Sequence, residues 1–439
     1  MRILPVGTAL ALFTTSAMAE TTWREVQPLL QRRCVQCHQI GEVAPMPFTT
    51  YRQVRPFAKA IRQAVLQKSM PPWHAEPGAH SWRNDRSLSQ QETSTLVAWV
   101  DAGAPEGNPS EGMKAEAMKV TKASGVWKLG KPDRVVKVPG FDIPKSGQLM
   151  YSFLIVPLRL EKDTWVRAAE FRIDQRALLH HMNAFVRPPG SSYLAGFPVG
   201  EIFSPTVAQR GKRRPEERVF DRRQLVLGYE PGYEAMPWLD SGAKLIPAGS
   251  DLILEIHYNP NGQAAKDYSE FALYFTDKVP EQRVVAIDTL RDLDFVIPPK
   301  DGGFQSQASM TLARPAKLLS VQPHMHVRGK SMMVRAVYPD GRIETLINVP
   351  RYDFNWQTTY VLAKPLDLPE GTRLESTAGF DNSLNNRFNP DAAASVKWGD
   401  QTTDEMHIAF LELVIEASGD PEKLFKAVPK MVGAPVATR

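Results

Sequence analysis

Five histidines carry the most specific chemistry in this 439-residue chain. His324 and His326 lie in Gln322-Pro323-His324-Met325-His326-Val327-Arg328-Gly329. Side chains alternate faces along a strand, so these two imidazoles point the same way and can share a metal without bending the backbone. A single His-x-His is often just two solvated or hydrogen-bonded rings. Here three more of the nine histidines sit in strand-like surroundings, the adjacent pair His180-His181 and the single His257. Neighbours on a regular strand face opposite ways, so His180 and His181 can meet one metal only at a strand end or a β-bulge, and bulges collect at sites. His257 closes an apolar strand that ends by Pro260, where a third ligand can swing in; the plainer alternative is a histidine satisfied by a local hydrogen bond. Imidazole-rich sites suit zinc and copper, and a thioether favours cuprous copper over zinc. Met182, Met325, Met332, Met333 and Met406 are all candidates for that thioether, and periodicity does not separate them from methionines that merely fill a core.

A second centre lies near the N-terminus. The only two cysteines stand in Cys34-Val35-Gln36-Cys37-His38. Cys-x-x-Cys-His is the attachment pattern of c-type haem, in which two thioethers hold the porphyrin and the adjacent imidazole takes the iron. A thioredoxin-like redox pair needs a βαβ context that is absent, and a disulfide across so short a loop is the weaker reading. The surroundings read as helical. Pro56 suits a first turn, with Phe57, Ala60, Ile61, Ala64 and Val65 following at helical spacing. Ser89 and Glu92 make a capping box before Leu96, Trp99 and Val100, and Gly103 with Pro105 ends that helix. Met70, in Met70-Pro71-Pro72-Trp73, is the favoured sixth iron ligand on placement, with Met46 and His74 as the alternatives.

The elements that must hold these centres follow from composition. A hydrophobic fraction of 43% with 23% charged residues describes a globular protein, and 36 prolines suit many short strands. From Trp127 onward, β-branched and aromatic runs alternate with turns such as Pro247-Ala248-Gly249-Ser250 and Pro260-Asn261-Gly262. About 290 residues of this texture exceed one sandwich of about 100–150 residues. The expected organisation is multidomain: a small all-α cytochrome c domain at 20–106, a linker at 107–126, then two all-β, jelly-roll-like sandwiches at 127–290 and 291–420, and a tail at 421–439. Arg2, the apolar run from Ile3 to Phe13 and Ala17-Met18-Ala19 read as an export signal at 1–19, which places the mature chain in the periplasm. No stretch reaches the roughly 18–20 apolar residues of a membrane span. Net charge is +5, and the basic run from Arg210 to Arg223 comes with no nucleic-acid motif, so a solvated loop is the expected reading.

Residues 127–420 resemble the copper type II, ascorbate-dependent monooxygenases, the family of peptidylglycine α-hydroxylating monooxygenase and dopamine β-monooxygenase. In that family the first sandwich binds one copper through a His-His pair and a later single His. The second binds another through His-x-His and a Met in an Asp-Glu-Met turn. The matching positions, in order, are His180-His181, His257, His324-Met325-His326 and Asp404-Glu405-Met406. The front segment resembles cytochrome c modules fused to bacterial members of the family. The resemblance implies two coppers and one covalent haem c. The His324/His326/Met406 copper would bind O₂ and hydroxylate a C–H bond of a small substrate. The His180/His181/His257 copper would store and deliver electrons, supplied by the haem and, behind it, a periplasmic electron donor. Two departures stand out: the sandwiches contain no cysteine, whereas the animal enzymes are disulfide-rich. The peptide enzyme also holds its substrate carboxylate with an Arg two residues before His-x-His and with an Asn and a Tyr after the Met. Gln322, Ile408 and Phe410 occupy those positions, which disfavours a carboxylate substrate. The same residues also suit a non-hydroxylating copper and haem electron-transfer or copper-handling protein, or a copper oxidase of a small inorganic or organosulfur molecule.

Overall fold

The computed structural model describes residues 21–426 except 79, 109–125, 148, 206–224, 233–234, 236–237, 240 and 400. The export signal, most of the linker, the basic run at 210–223 and most of the tail lie outside the described residues. Among the described residues no helix is long and apolar enough to cross a membrane.

The chain is predominantly β from Arg134 onward. One eight-stranded sheet runs through both halves, in the order Arg134–Lys137, Glu270–Thr276, Thr164–Arg172, Gly242–Ile246, Gln282–Asp292, His407–Glu416, Ala316–His324, Tyr360–Leu368. Its first half shares a core with a five-stranded sheet (Ile202–Phe203, Ser152–Pro157, Asp251–Tyr258, Leu179–Arg187, Leu225–Tyr229). Its second half shares another core with a four-stranded sheet (Gln305–Thr311, Arg373–Phe380, Gly329–Val337, Ile343–Val349). The boundary expected at 290/291 falls inside Gln282–Asp292. That strand pairs along most of its length with His407–Glu416 and, in the sheet, with the first half only through Gln282 and Arg283, while Val284 enters the first core.

The period of two along these strands decides which side chains reach the site. In Asp251–Tyr258, Leu252, Leu254 and Ile256 enter the first core, so Ile253, Glu255 and His257 face the other way. On the paired strand Leu179–Arg187, Met182, Ala184 and Val186 enter the same core, and His181, Asn183 and Phe185 stand opposite His257, Glu255 and Ile253. In the second half Gln322 pairs with Phe410 and His324 with Ile408, while Val321, Ala409 and Leu411 are buried in the second core.

Among the described residues the front part carries four helices: α1 (Trp23–Arg33), α2 (Tyr51–Val54), α3 (Ala58–Leu66) and α4 (Gln90–Asp101). Ser89 and Glu92 form the capping box of α4, and Thr22 with Glu25 caps α1 in the same way. Pro56 lies in a short 3₁₀ turn, Arg55–Phe57, and α3 begins only after it. Trp23, Leu30, Val54, Ile61, Leu96 and Trp99 form the small core of this part.

The stretch between α3 and α4 leaves that core. Trp73 and Ala75 are buried in the second β core, and the Glu76 amide donates to the Asn348 carbonyl at 2.8 Å. Ser81 to Arg83 then lie along the outer strand Tyr360–Leu368, with Ala363 N–H to Ser81 O and Arg83 N–H to Val361 O both at 2.8 Å. The last strand of an eight-stranded sheet exposes unpaired backbone groups, and this strap covers part of them.

Candidate metal centres and the cleft between them

His180 sits in the conformation its sequence requires. Leu179 pairs with Tyr258 and His181 with His257, so His180 is the extra residue of a β-bulge. The bulge lets adjacent side chains converge: ligand atoms of His180, His181 and His257 all lie within 4.8 Å of one another. His180 Nδ1 is 3.1 Å from His181 Nδ1. Tyr151 stacks on the His257 ring at 4.6 Å. Burial lowers the pKa of His180. It takes His257 down to about 4, helped by the neighbouring His180 and opposed by the Leu149 backbone, so these rings are neutral near pH 7. His257 Nδ1 is buried with no partner at hydrogen-bonding geometry, an exception to the rule that buried polar atoms are satisfied. Three converging imidazoles, one with an orphaned nitrogen, are a donor set that a zinc or copper ion would complete.

The second cluster is built on the end of Ala316–His324. The His324 and His326 rings lie 5.3 Å apart and nearly perpendicular. His324 Nδ1 donates to Gln357 Oε1 at 2.6 Å and His326 Nδ1 to the Asp404 carbonyl at 3.2 Å. Each Nδ1 is thereby used, which leaves coordination to Nε2 and fixes the ring's orientation. Met406 lines the same cleft as both rings. Met182, Met325 and Met332, by contrast, are completely buried in the two cores. Met333, half-buried on Gly329–Val337, does not line the cleft either, so the three-dimensional structure separates the thioethers that the sequence leaves level.

Glu405 holds this cluster together. It is completely buried, accepts the His326 amide through Oε2 at 2.8 Å and the Arg328 amide through Oε1 at 2.5 Å, and its own carbonyl accepts from Gly399 N–H at 3.2 Å. Burial pushes its carboxyl up to about 8, against the pull of the amides and of Arg328. Arg328, 1% exposed, donates to Asn382 Oδ1 at 2.9 Å and to the Thr403 carbonyl at 2.7 Å, tying the loop before Met406 to the turn after His326. Glu405→Ala would strand two buried amides. An expected loss of about 2–6 kcal/mol follows at about 1–3 per orphaned group, measurable by urea unfolding. Glu405→Gln, which keeps one acceptor oxygen, should lose less.

Both clusters open onto one cleft of about 110 Å³. Phe354 stands between them, its ring 6.3 Å from His180 and 6.1 Å from His326. Gln322, Ile408 and Phe410, the positions expected to replace a carboxylate clamp, all line it. A guanidinium lines it too, that of Arg291, but Asp288 binds it at 2.7 Å and both side chains are largely buried.

At the front, Cys34 caps the C-terminus of α1, and the His38 amide donates to the Cys34 carbonyl at 2.9 Å, so the motif forms one tight turn. The two thiols are not joined to each other. His38 Nδ1 donates to the Met46 carbonyl at 3.0 Å and its ring stacks on Phe48 at 4.2 Å, again leaving Nε2 for a ligand. Of the alternatives for a sixth ligand, His74 is drawn to the β body, half-buried beside Asp353 and Arg351. Met46 packs against the front core and Met70 is half-buried at the bend after α3.

Tyr151, Phe354, Gln357, Glu405 and Arg328 were not singled out by sequence reasoning. Arg328 and Glu405 carry a faint signal, as charged residues beside expected ligands; the other three lie in loops with no distinguishing pattern. No family model and no curated protein matches the chain. Solved structures of infectious bursal disease virus match in part: the Gx strain at 9% identity and TM-score 0.19, and the VP2 subviral particle at 12% identity and TM-score 0.18. Each alignment covers 67% of this chain and 75% of that one, and at such scores the likeness carries no argument.

Proposed function

We propose that the chain is a periplasmic dicopper monooxygenase of the copper type II kind, with one covalent haem c, that hydroxylates a C–H bond of a small, non-carboxylate substrate with O₂. The observation that carries this reading is the single cleft lined by His180 and His181 on one wall and by His324, His326 and Met406 on the other. The donor sets differ as the two roles require. Three imidazoles suit an electron-storing ion, and two imidazoles with a soft thioether favour the cuprous state that meets O₂. When bound, copper would supply one-electron redox chemistry and oxygen activation, and haem at Cys34, Cys37 and His38 would supply electrons.

The chain's own residues do the rest. Gln357 and the Asp404 carbonyl orient the His324 and His326 rings, Glu405 holds the backbone between them, and Phe354 with Trp356, Trp398 and Phe410 gives the cleft apolar walls. The narrow cleft also favours a second reading, a copper oxidase of a small inorganic or organosulfur molecule.

Metal analysis of purified protein should give about two copper ions and one acid-resistant haem per chain, and reconstitution against zinc should still yield copper. Product analysis with labelled O₂ separates the two readings, since only a hydroxylase places the label in a C–OH group. Zinc in both sites would refute both. Glycine-extended peptides should turn over poorly, because the Arg291 charge is already met by Asp288. Turnover of one at rates matching the best small neutral substrate would contradict the substrate assignment.

A further inference from the structure

We propose that Tyr229–Gly232 is the electron entry to the cleft, with Glu230 as its link to the His324/His326 cluster. The inference rests on the haem and copper reading above and differs from the sequence-based expectation in one respect: the route leads to the His324/His326/Met406 site directly, whereas that expectation sent the haem's electrons to the His180/His181/His257 site, which keeps its storing role.

These four residues face two ways. Toward the front part, Gln36 Nε2 donates to the Gly232 carbonyl at 3.1 Å. Gly232 has φ +83, and a Cβ built there would run into the Arg86 guanidinium and come within 3.7 Å of Cys37 Sγ. Only glycine permits so close an approach in that backbone conformation. A second clamp lies beside the first: Arg176 donates to Glu42 at 2.6 Å while its guanidinium lies 5.6 Å over the Tyr229 ring. The Cys-x-x-Cys-His turn is therefore held against this segment from both sides.

Toward the cleft, Glu230 and Pro231 are part of its wall. Glu230 accepts a hydrogen bond from Gln322 Nε2, two residues before His324. Gln322 Nε2 also donates to the Gln357 carbonyl at 2.9 Å, and Gln357 Oε1 accepts from His324 Nδ1. Covalent bonds with two hydrogen bonds, or four by way of Gln357, thus connect the cysteine turn to His324, and electrons tunnel further through bonds than through open space. The step is a single-electron exchange. A ferrous haem held by Cys34, Cys37 and His38 would give up one electron and a cupric ion held by His324, His326 and Met406 would take it, with no atom or proton transferred. A periplasmic one-electron donor restores the haem.

The test uses the full chain with haem and copper content measured first. The haem is reduced anaerobically by a flash-generated reductant, and its reoxidation is followed by absorbance together with the cupric resonance signal. Gln36→Ala and Glu230→Ala should each slow the transfer by about tenfold or more, the scale on which small losses of geometry act. Glu230→Gln, still an acceptor for Gln322, should run close to the unaltered rate, as should Arg62→Ala, whose side chain pairs with Asp101 and takes no part in the hydrogen bonds of the route. Midpoint potentials and metal content should not move in any variant, which separates a route from a general disturbance. Unchanged transfer in both Gln36→Ala and Glu230→Ala, at full haem and copper content, overturns the route alone. Absence of haem or copper overturns the functional reading and the route with it.

Discussion

Met406→Ala is expected to abolish oxygen-dependent turnover while leaving the three-histidine site loaded. Met406 is the thioether that lines the cleft with His324 and His326, and its backbone follows Glu405, whose carboxyl oxygens accept from the amides of His326 and Arg328. Removing the thioether therefore changes the donor set without touching the hydrogen bonds that shape the turn. Partners one shell out from a ligand are worth about 10–100-fold in affinity or activity, so loss of the ligand itself should cost at least about 10²-fold. Copper content should fall from about two to about one per chain, with the remaining ion in the resonance environment of the histidine triad. Met325→Leu is the control. Met325 is fully buried in the second core, and a volume-conserving apolar exchange there costs less than about 1.5 kcal/mol and should leave turnover intact. If Met406→Ala keeps full activity and two coppers, the ligand assignment is wrong.

How much of this was legible beforehand differs from residue to residue. His324 and His326 were readable as a pair because the strand period alone puts them on one face. The need for a bulge at His180-His181 was equally plain, since no regular strand lets neighbours converge, and His180 is the unpaired residue between Leu179 and His181. Met406 was not separable from Met182, Met325 and Met332 by local pattern. Its place in the cleft decides it, and that place depends on how the Ala316–His324 and His407–Glu416 strands pair, a contact between residues far apart in the chain. The same holds for Glu405, whose role appears only once the turn after His326 closes over it.

The sheet arrangement was legible only in outline. Alternating apolar runs indicate strands and two cores, but not that one sheet would run through both halves, because edge-to-edge pairing of Gly242–Ile246 with Gln282–Asp292 leaves no local mark. The segment after Met70 shows the same limit of local pattern. Pro71, Pro72 and Trp73 suit a stiff loop over an iron site, yet Trp73 is a large apolar side chain and gains more by entering the second β core. With it the front part is fastened to the β body by Ser81–Arg83 as well, rather than through the linker alone.

That attachment shapes the second large effect, expected for Cys34→Ser with Cys37→Ser. Two thioethers are what makes a c-type haem covalent, and the two cysteines are the only ones in the chain. The double variant should lose acid-resistant haem completely, and electron delivery to copper from a one-electron donor that acts through the haem should fall to background. The β body should nevertheless stay folded and bind about two coppers. The strap from Trp73 to Arg83 holds the front part through the second core and the Tyr360–Leu368 edge, contacts that involve neither cysteine. The Arg176–Glu42 and Gln36–Gly232 clamps also persist, since both bind through side chains that the substitutions leave alone. Urea unfolding of the β body should thus shift little, while a chemical reductant supplied directly to copper should restore turnover. Haem that still resists acid extraction in the double variant would show that the attachment site lies elsewhere. Loss of both coppers together with the haem would show instead that the front part and the cleft fold as one unit around their cofactors.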